Sequence, residues 1–428
     1  MGAIAALAAG LLAAAGGVDP ETVAKVETLL RAGDAAEAAK ILDPKPLRDQ
    51  LAADPGALDA VCGAAAFGAD ALAEASPGEA RRVTDLLEPL AEAALEARPE
   101  SLLARRSRAF ASLASARLRA LLEPPAAPGP FLWAAEDLAA VYGKDPRNGR
   151  DLVTSAEALA EAAVLPGADA AALWGRVEAA ASAVRDRHAD APAVLADAAL
   201  LLVDRARWGA AKGEKGVDAR LEAVLAFLAP ALKASPEDID LSTTHNEAVS
   251  LALRLGLKRP RAAFRTRPLE FPHGLSMEIP VSRFWIGPAP GGTTVYQRTR
   301  RLRGLRTLVV DEYPWNAVCQ FGEITSVKGD SIKDVAEKVY EISCRTLARV
   351  KTRRPTARCT LRQCDPGWFF ELEGTNLRGE YSRRRGWHFK SKEGWLTTYE
   401  VMVFDYREGE RDDPALDSVL DSIREREK

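Results

Sequence analysis

Histidine is scarce in this chain. Only His188, His245, His273 and His388 occur in 428 residues, far apart in sequence. Paired imidazole ligands are not expected: His245-Asn246-Glu247 sits in a helical stretch, where positions two apart do not share a face. The five cysteines offer no better ligand set. Cys62 stands alone, and Cys359-x4-Cys364 departs from a zinc-knuckle spacing. Cys319, Cys344, Cys359 and Cys364 read as small buried residues, though two of them could pair if the protein is exported. Also missing are the G-x-G-x-x-G fingerprint, the P-loop, H-E-x-x-H and G-x-S-x-G. No catalytic, cofactor-binding or metal residue is therefore named, and the chain is not expected to be an enzyme. A hydrolase with its site between two domains is the less favoured alternative. No run of about 18 apolar residues occurs away from the N-terminus, which excludes a polytopic helical membrane protein.

What is present is a period. Asp54-Pro55, Arg98-Pro99, Asp145-Pro146, Ala191-Pro192 and Ser235-Pro236 divide the first 260 residues, with prolines 44, 47, 46 and 44 apart. Each lies between Ala/Leu-rich helical stretches, the signature of a stacked helical array. Asp19-Pro20-Glu21 reads as a helix start, with Asp as N-cap. Leu86, Leu87, Leu90 and Leu95 read as a buried stripe, and Trp133, Trp174 and Trp208 as core anchors. Glu123 to Pro130 and Gly209 to Gly216 cannot continue helices and read as loops. Residues 1–17 are ambiguous. GAIAALAAGLLAAAGG carries no charge and ends in Ala13-Ala14-Ala15, as a signal peptide would, but it lacks a basic start. The alternative is a first helix buried on all sides. Export to the periplasm or beyond is favoured over a cytoplasmic place.

After Lys258-Arg259-Pro260 the character changes. Residues 1–260 carry 28 Lys+Arg against 37 Asp+Glu, and residues 261–428 carry 30 against 24. Alternating β-branched and aromatic residues predict strands at 293–301, 305–312, 357–363, 367–374 and 395–406. Helices are predicted over 331–352 and from about Pro414 to the C-terminus. Basic and aromatic residues gather in Arg383, Arg384, Arg385, Trp387 and Lys390, with Lys392 just beyond. A second basic cluster includes Arg298, Arg300 and Arg301. Arginine can grip phosphate or carboxylate while indole offers a stacking face, so a polyanion or nucleic acid is one partner these residues suit. The favoured reading is that Trp387 and Phe389 face a core while basic residues alternate toward water.

Leu29-Leu30-Arg31-Ala32-Gly33-Asp34 through Ala38-Ala39-Lys40-Ile41-Leu42-Asp43-Pro44 resembles a tetratricopeptide repeat, with a longer period and Ala or Leu at the family's aromatic positions. In the second half, Leu275 to Pro280 followed by Trp285, Gly329 to Ala336, Gly367-Trp368-Phe369-Phe370-Glu371-Leu372-Glu373-Gly374 and the closing Ala415 to Arg424 resemble the PsbP-like domain. That family includes the Mog nuclear-transport factor and bacterial envelope lipoproteins. The resemblance covers about residues 270–426. It implies an α/β/α sandwich and an accessory role through protein contacts, without catalytic residues. The expected fold is thus multidomain: an all-α helical-repeat, tetratricopeptide-like array (18–260) followed by an α+β domain (261–428), an α/β/α sandwich with an antiparallel sheet. The expected function is that of a bacterial protein-binding or scaffold protein.

Overall fold

The computed structural model describes residues 18–123, 125–256, 263–270, 275–281, 285–289, 293–298, 316–322, 358–364, 367–375, 381–390, 396–404 and 424–425. By compactness the chain separates into two units between Lys212 and Gly213. Among the described residues, the first unit is all helical. It holds α1 (Pro20–Ala32), α2 (Ala35–Leu42), α3 (Lys45–Ala53), α4 (Pro55–Phe67), α5 (Ala69–Ala75), α6 (Pro77–Ala97), α7 (Leu102–Leu122), α8 (Gly129–Lys144), α9 (Gly149–Ala163), α10 (Ala170–Arg187) and α11 (Pro192–Ala211). The second unit begins with α12 (Val217–Ala234) and α13 (Ile239–Arg254).

The proline period marks the turn inside each helix pair. Four turns share one geometry. The amide of Ser101 bonds to Arg98 O, that of Asn148 to Asp145 O, that of Ala191 to His188 O and that of Asp238 to Ser235 O. In three of them proline stands at the second turn position (Pro99, Pro146 and Pro236), where its fixed φ suits the bend. In the fourth, proline moves to the first helical residue, Pro192, whose missing N–H is no loss there. Contacts across neighbouring pairs recur at the same interval. Arg106 Nε donates to Asp59 Oδ1 at 2.8 Å, 47 residues away. Arg117 Nε donates to Glu161 Oε2 at 2.9 Å, 44 away. Tyr142 Oη and His188 Nε2 lie 3.2 Å apart, 46 away. A repeated turn with repeated contacts at the turn's own period is a helical repeat array.

Alanine lets the helices close up. In α9, Ala156, Ala158, Ala160, Ala162 and Ala163 are all buried. At α1 the approach becomes closer than any Cβ allows. Gly33 ends the helix with φ +85 in the left-handed region. A Cβ on Gly68, in the bend between α4 and α5, would stand 2.3 Å from Leu30 O. The buried stripe of α6 is Ala80, Val83, Leu87, Ala91 and Ala94. Of the four leucines expected there, only Leu87 is fully buried, and Leu86, Leu90 and Leu95 sit at its margins. The Asp19 cap is present, its carboxylate accepting from the amides of Glu21 and Thr22. Among the described residues no single helix is long and apolar enough to cross a membrane.

In the second unit, β1 (Thr266–Glu270), β2 (Leu275–Pro280) and β10 (Arg424–Glu425) form one antiparallel sheet. The other holds β3 (Trp285–Ala289), β4 (Thr293–Arg298), β5 (Asn316–Gly322), β6 (Arg358–Cys364), β7 (Gly367–Thr375), β8 (Tyr381–Lys390) and β9 (Leu396–Phe404), in the order β3-β4-β5-β9-β8-β7-β6. Four of the five predicted strands therefore match described ones. The strand expected at 305–312 and the helix at 331–352 lie outside the described residues. The expected closing helix does not run to the end of the chain, since Arg424 and Glu425 pair with Ser276 and Leu275 of β2.

Residue Pro260, where the sequence places the junction, also lies outside the described residues. Arg265 and Val281, at the outer ends of the β1–β2 pair, are hydrogen-bonded to α13. The Asn246 side chain donates to Arg265 O and Val281 O at 2.9 and 2.8 Å and accepts from the Arg265 amide at 2.8 Å.

Candidate partner-binding groove

The basic residues named from sequence fall on two strands. Arg383, Arg384, Arg385, Trp387 and Lys390 belong to β8, and Arg298 ends β4, while Arg300, Arg301 and Lys392 lie outside the described residues. The register unites some of them and divides others. Arg298 pairs with Ala317, Ala317 with Val403, and Val403 with Arg383, so Arg298 and Arg383 occupy one row of one sheet face. Strand alternation puts Arg383, Arg385, Trp387 and Phe389 on that face, and Arg384, His388 and Lys390 on the other. Arg383 also stands opposite Glu373, and Arg385 opposite Glu371.

A more distinct surface lies in the first unit, and sequence reasoning missed it. A groove of about 520 Å³ is lined by Asp85, Glu88, Pro89 and Glu92 of α6, by Arg108, Ala111, Ser112, Ser115 and Arg119 of α7, and by Pro130 and Trp133 of α8. Residues 85, 88 and 92 share one stripe of α6, and residues 108, 111, 112, 115 and 119 share one of α7. Arg106 and Arg117 are each two residues off that second stripe, near the opposite side of α7, where they bind α4 and α9. One helix thus holds the array together on one face and lines the groove on the other.

Trp133 is 67% exposed, against 1% for Trp174. The expectation that Trp133, Trp174 and Trp208 are core anchors fails at Trp133, because α8 turns that position to the groove while Phe131, Ala134, Ala135 and Leu138 take the core side. The charges are unevenly satisfied. Arg108 is held by Asp137 through bonds of 2.8 and 2.7 Å, and Arg119 lies 3.6 Å from Glu88. Asp85 and Glu92 are exposed and make no ion pair among the described residues. The one legible clue was the spacing of the three carboxylates, which alone does not separate a groove wall from an ordinary solvated face.

Among the described residues no group of three or more His, Cys, Asp or Glu side chains is placed to hold a metal ion. His245 is buried and its Nδ1 lies 3.3 Å from Asn246 Oδ1. Burial moves its pKa below the ordinary value of 6.5, and the nearby Arg265 charge acts the same way. The folded chain thus holds a neutral imidazole. Its contribution to stability is complete above the unfolded value and is lost as pH falls through the lower folded one. Thermal melts at pH 7.5, 6.5 and 5.5 should show falling stability for the wild type. His245→Gln should flatten that slope, and parallel slopes would remove His245 as the cause.

No protein family matches the chain, and no curated protein does. Among solved structures the chain is similar to a circular tandem repeat protein with novel repeat topology and enhanced subunit contact surfaces. The two share 17% identity over 55% of this chain and 72% of that one, with a TM-score of 0.29. A score at that level carries neither fold nor function to this chain.

Proposed function

We propose that this chain is a non-enzymatic binding or scaffold protein of a bacterium, whose helical array holds a protein partner in the α6–α7–α8 groove. The observation that carries this reading is Trp133. A large apolar ring left in water, at the wall of a groove in an otherwise alanine-packed array, is the feature of an interaction anchor. The second half is proposed to be a PsbP-like accessory domain that makes a further protein contact, and residues 1–17 to be an export signal. The test compares full-length tagged wild type with Trp133→Ala in quantitative co-purification from native extract. Melting temperature should stay within about 2 °C, since an exposed side chain contributes little to folding. At least one captured protein should fall about tenfold or more. Identical capture by both would remove the groove from the proposal.

A second reading is a polyanion or nucleic-acid surface on the β-strands. The shared row of Arg298 and Arg383 favours it, and Glu371 and Glu373 at the facing register positions weigh against it.

A further inference from the structure

We infer that the occupant of the groove is a cationic peptide segment of about five residues. This rests on the proposed binding role and goes further, naming the chemistry of the partner. The first reason is the charge left over. The two groove cations are engaged, Arg108 by Asp137 and Arg119 beside Glu88, whereas Asp85 and Glu92 have no ionic partner among the described residues. The groove therefore offers acceptors and asks for positive donors.

The second reason is covalent. Pro89 lies inside α6 and has no N–H, so the Asp85 carbonyl loses its donor four residues on. Asp85 and Pro89 both line the groove. The Asp85 carbonyl is thus a neutral acceptor without its usual helical donor, on the stretch of α6 that carries both carboxylates.

The third reason is Trp133. An indole face attracts guanidinium or ammonium groups most strongly among the aromatic rings. An acidic segment would be repelled by α6 and gain nothing from the ring quadrupole. Length fixes the size of the segment. Arg108 to Arg119 spans eleven residues of helix, about 16 Å at 1.5 Å per residue. An extended peptide covers that distance in about five residues.

The experiment uses the full-length protein and three fluorescein-labelled pentapeptide amides, Arg-Ala-Arg-Ala-Arg, its glutamate counterpart and its serine counterpart. Binding is followed by anisotropy at 50 and 200 mM salt. The arginine peptide should bind at least about tenfold more tightly than either of the others, and more weakly at high salt. Asp85→Asn with Glu92→Gln should weaken it about tenfold, and Trp133→Ala should weaken it further while Trp133→Phe retains part. Glu37→Gln, an acid on α2, should have no effect. Equal binding of all three peptides, no binding of any, or indifference to the Asp85/Glu92 pair would overturn the inference. If Trp133→Ala abolishes capture from extract while the charge pair is indifferent, the binding role survives and only the cationic occupant falls. If neither substitution changes anything, both fall.

Discussion

Arg117→Met should destabilise the array by about 3–5 kcal/mol, the ordinary loss when one partner of a buried ion pair is removed. Arg117 Nε donates to both carboxylate oxygens of Glu161 at 3.1 and 2.9 Å, and its Nη1 donates to Ala66 O at 2.8 Å. Glu161 is 2% exposed, so without the guanidinium its charge has no water to turn to. Burial alone would lower the guanidinium pKa, but the Glu161, Glu157 and Asp70 charges outweigh it and push it upward. The two effects oppose each other, so the pair itself need not add net stability. Replacing both members by apolar residues of similar size, Arg117→Met with Glu161→Leu, should therefore recover most of the loss. Urea denaturation at pH 7 followed by circular dichroism measures both variants. A single variant within 1 kcal/mol of wild type would show that the pair is not sealed from water.

Asn246→Leu should have the second largest effect, about 3 kcal/mol, because it orphans two backbone groups at once. The Arg265 amide and the Val281 carbonyl both rely on the Asn246 side chain. Arg265 O is less affected, since the Val281 amide also donates to it at 2.8 Å. Asn246→Asp should be no better, because a carboxylate cannot donate to Arg265 O and Val281 O. Hydrogen exchange locates the change. The Arg265 amide should lose its protection, while amides in α7 keep theirs. Retained protection at Arg265 in Asn246→Leu would show that α13 does not hold that strand end.

The repeat was legible because its cause is local. Arg98-Pro99-Glu100-Ser101, Asp145-Pro146-Arg147-Asn148 and Ser235-Pro236-Glu237-Asp238 fix a turn with their own backbone, and the turn recurs wherever its residues do. Strand positions at Gly367–Thr375 and Leu396–Phe404 were legible for a similar reason, since period-two alternation needs no knowledge of the neighbour. The basic residues of β8 were found as a group, but their register partners were not, because register is settled by pairing with β7 and β9. Asn246 gave no signal. An amide side chain inside a helix looks the same whether it faces water or bridges to a strand nineteen residues on.

By itself, then, the amino-acid order determined the helical period, the turn at each proline and the crowding of alanine that lets helices approach. It did not decide which of the tryptophans would be hidden. Trp133 and Trp174 carry the same ring on similar helices, and only the arrangement of α6, α7 and α8 leaves one in the groove while the other is enclosed. Propensity and turn chemistry act over a few neighbouring residues, whereas burial depends on what three separate helices bring to the same place.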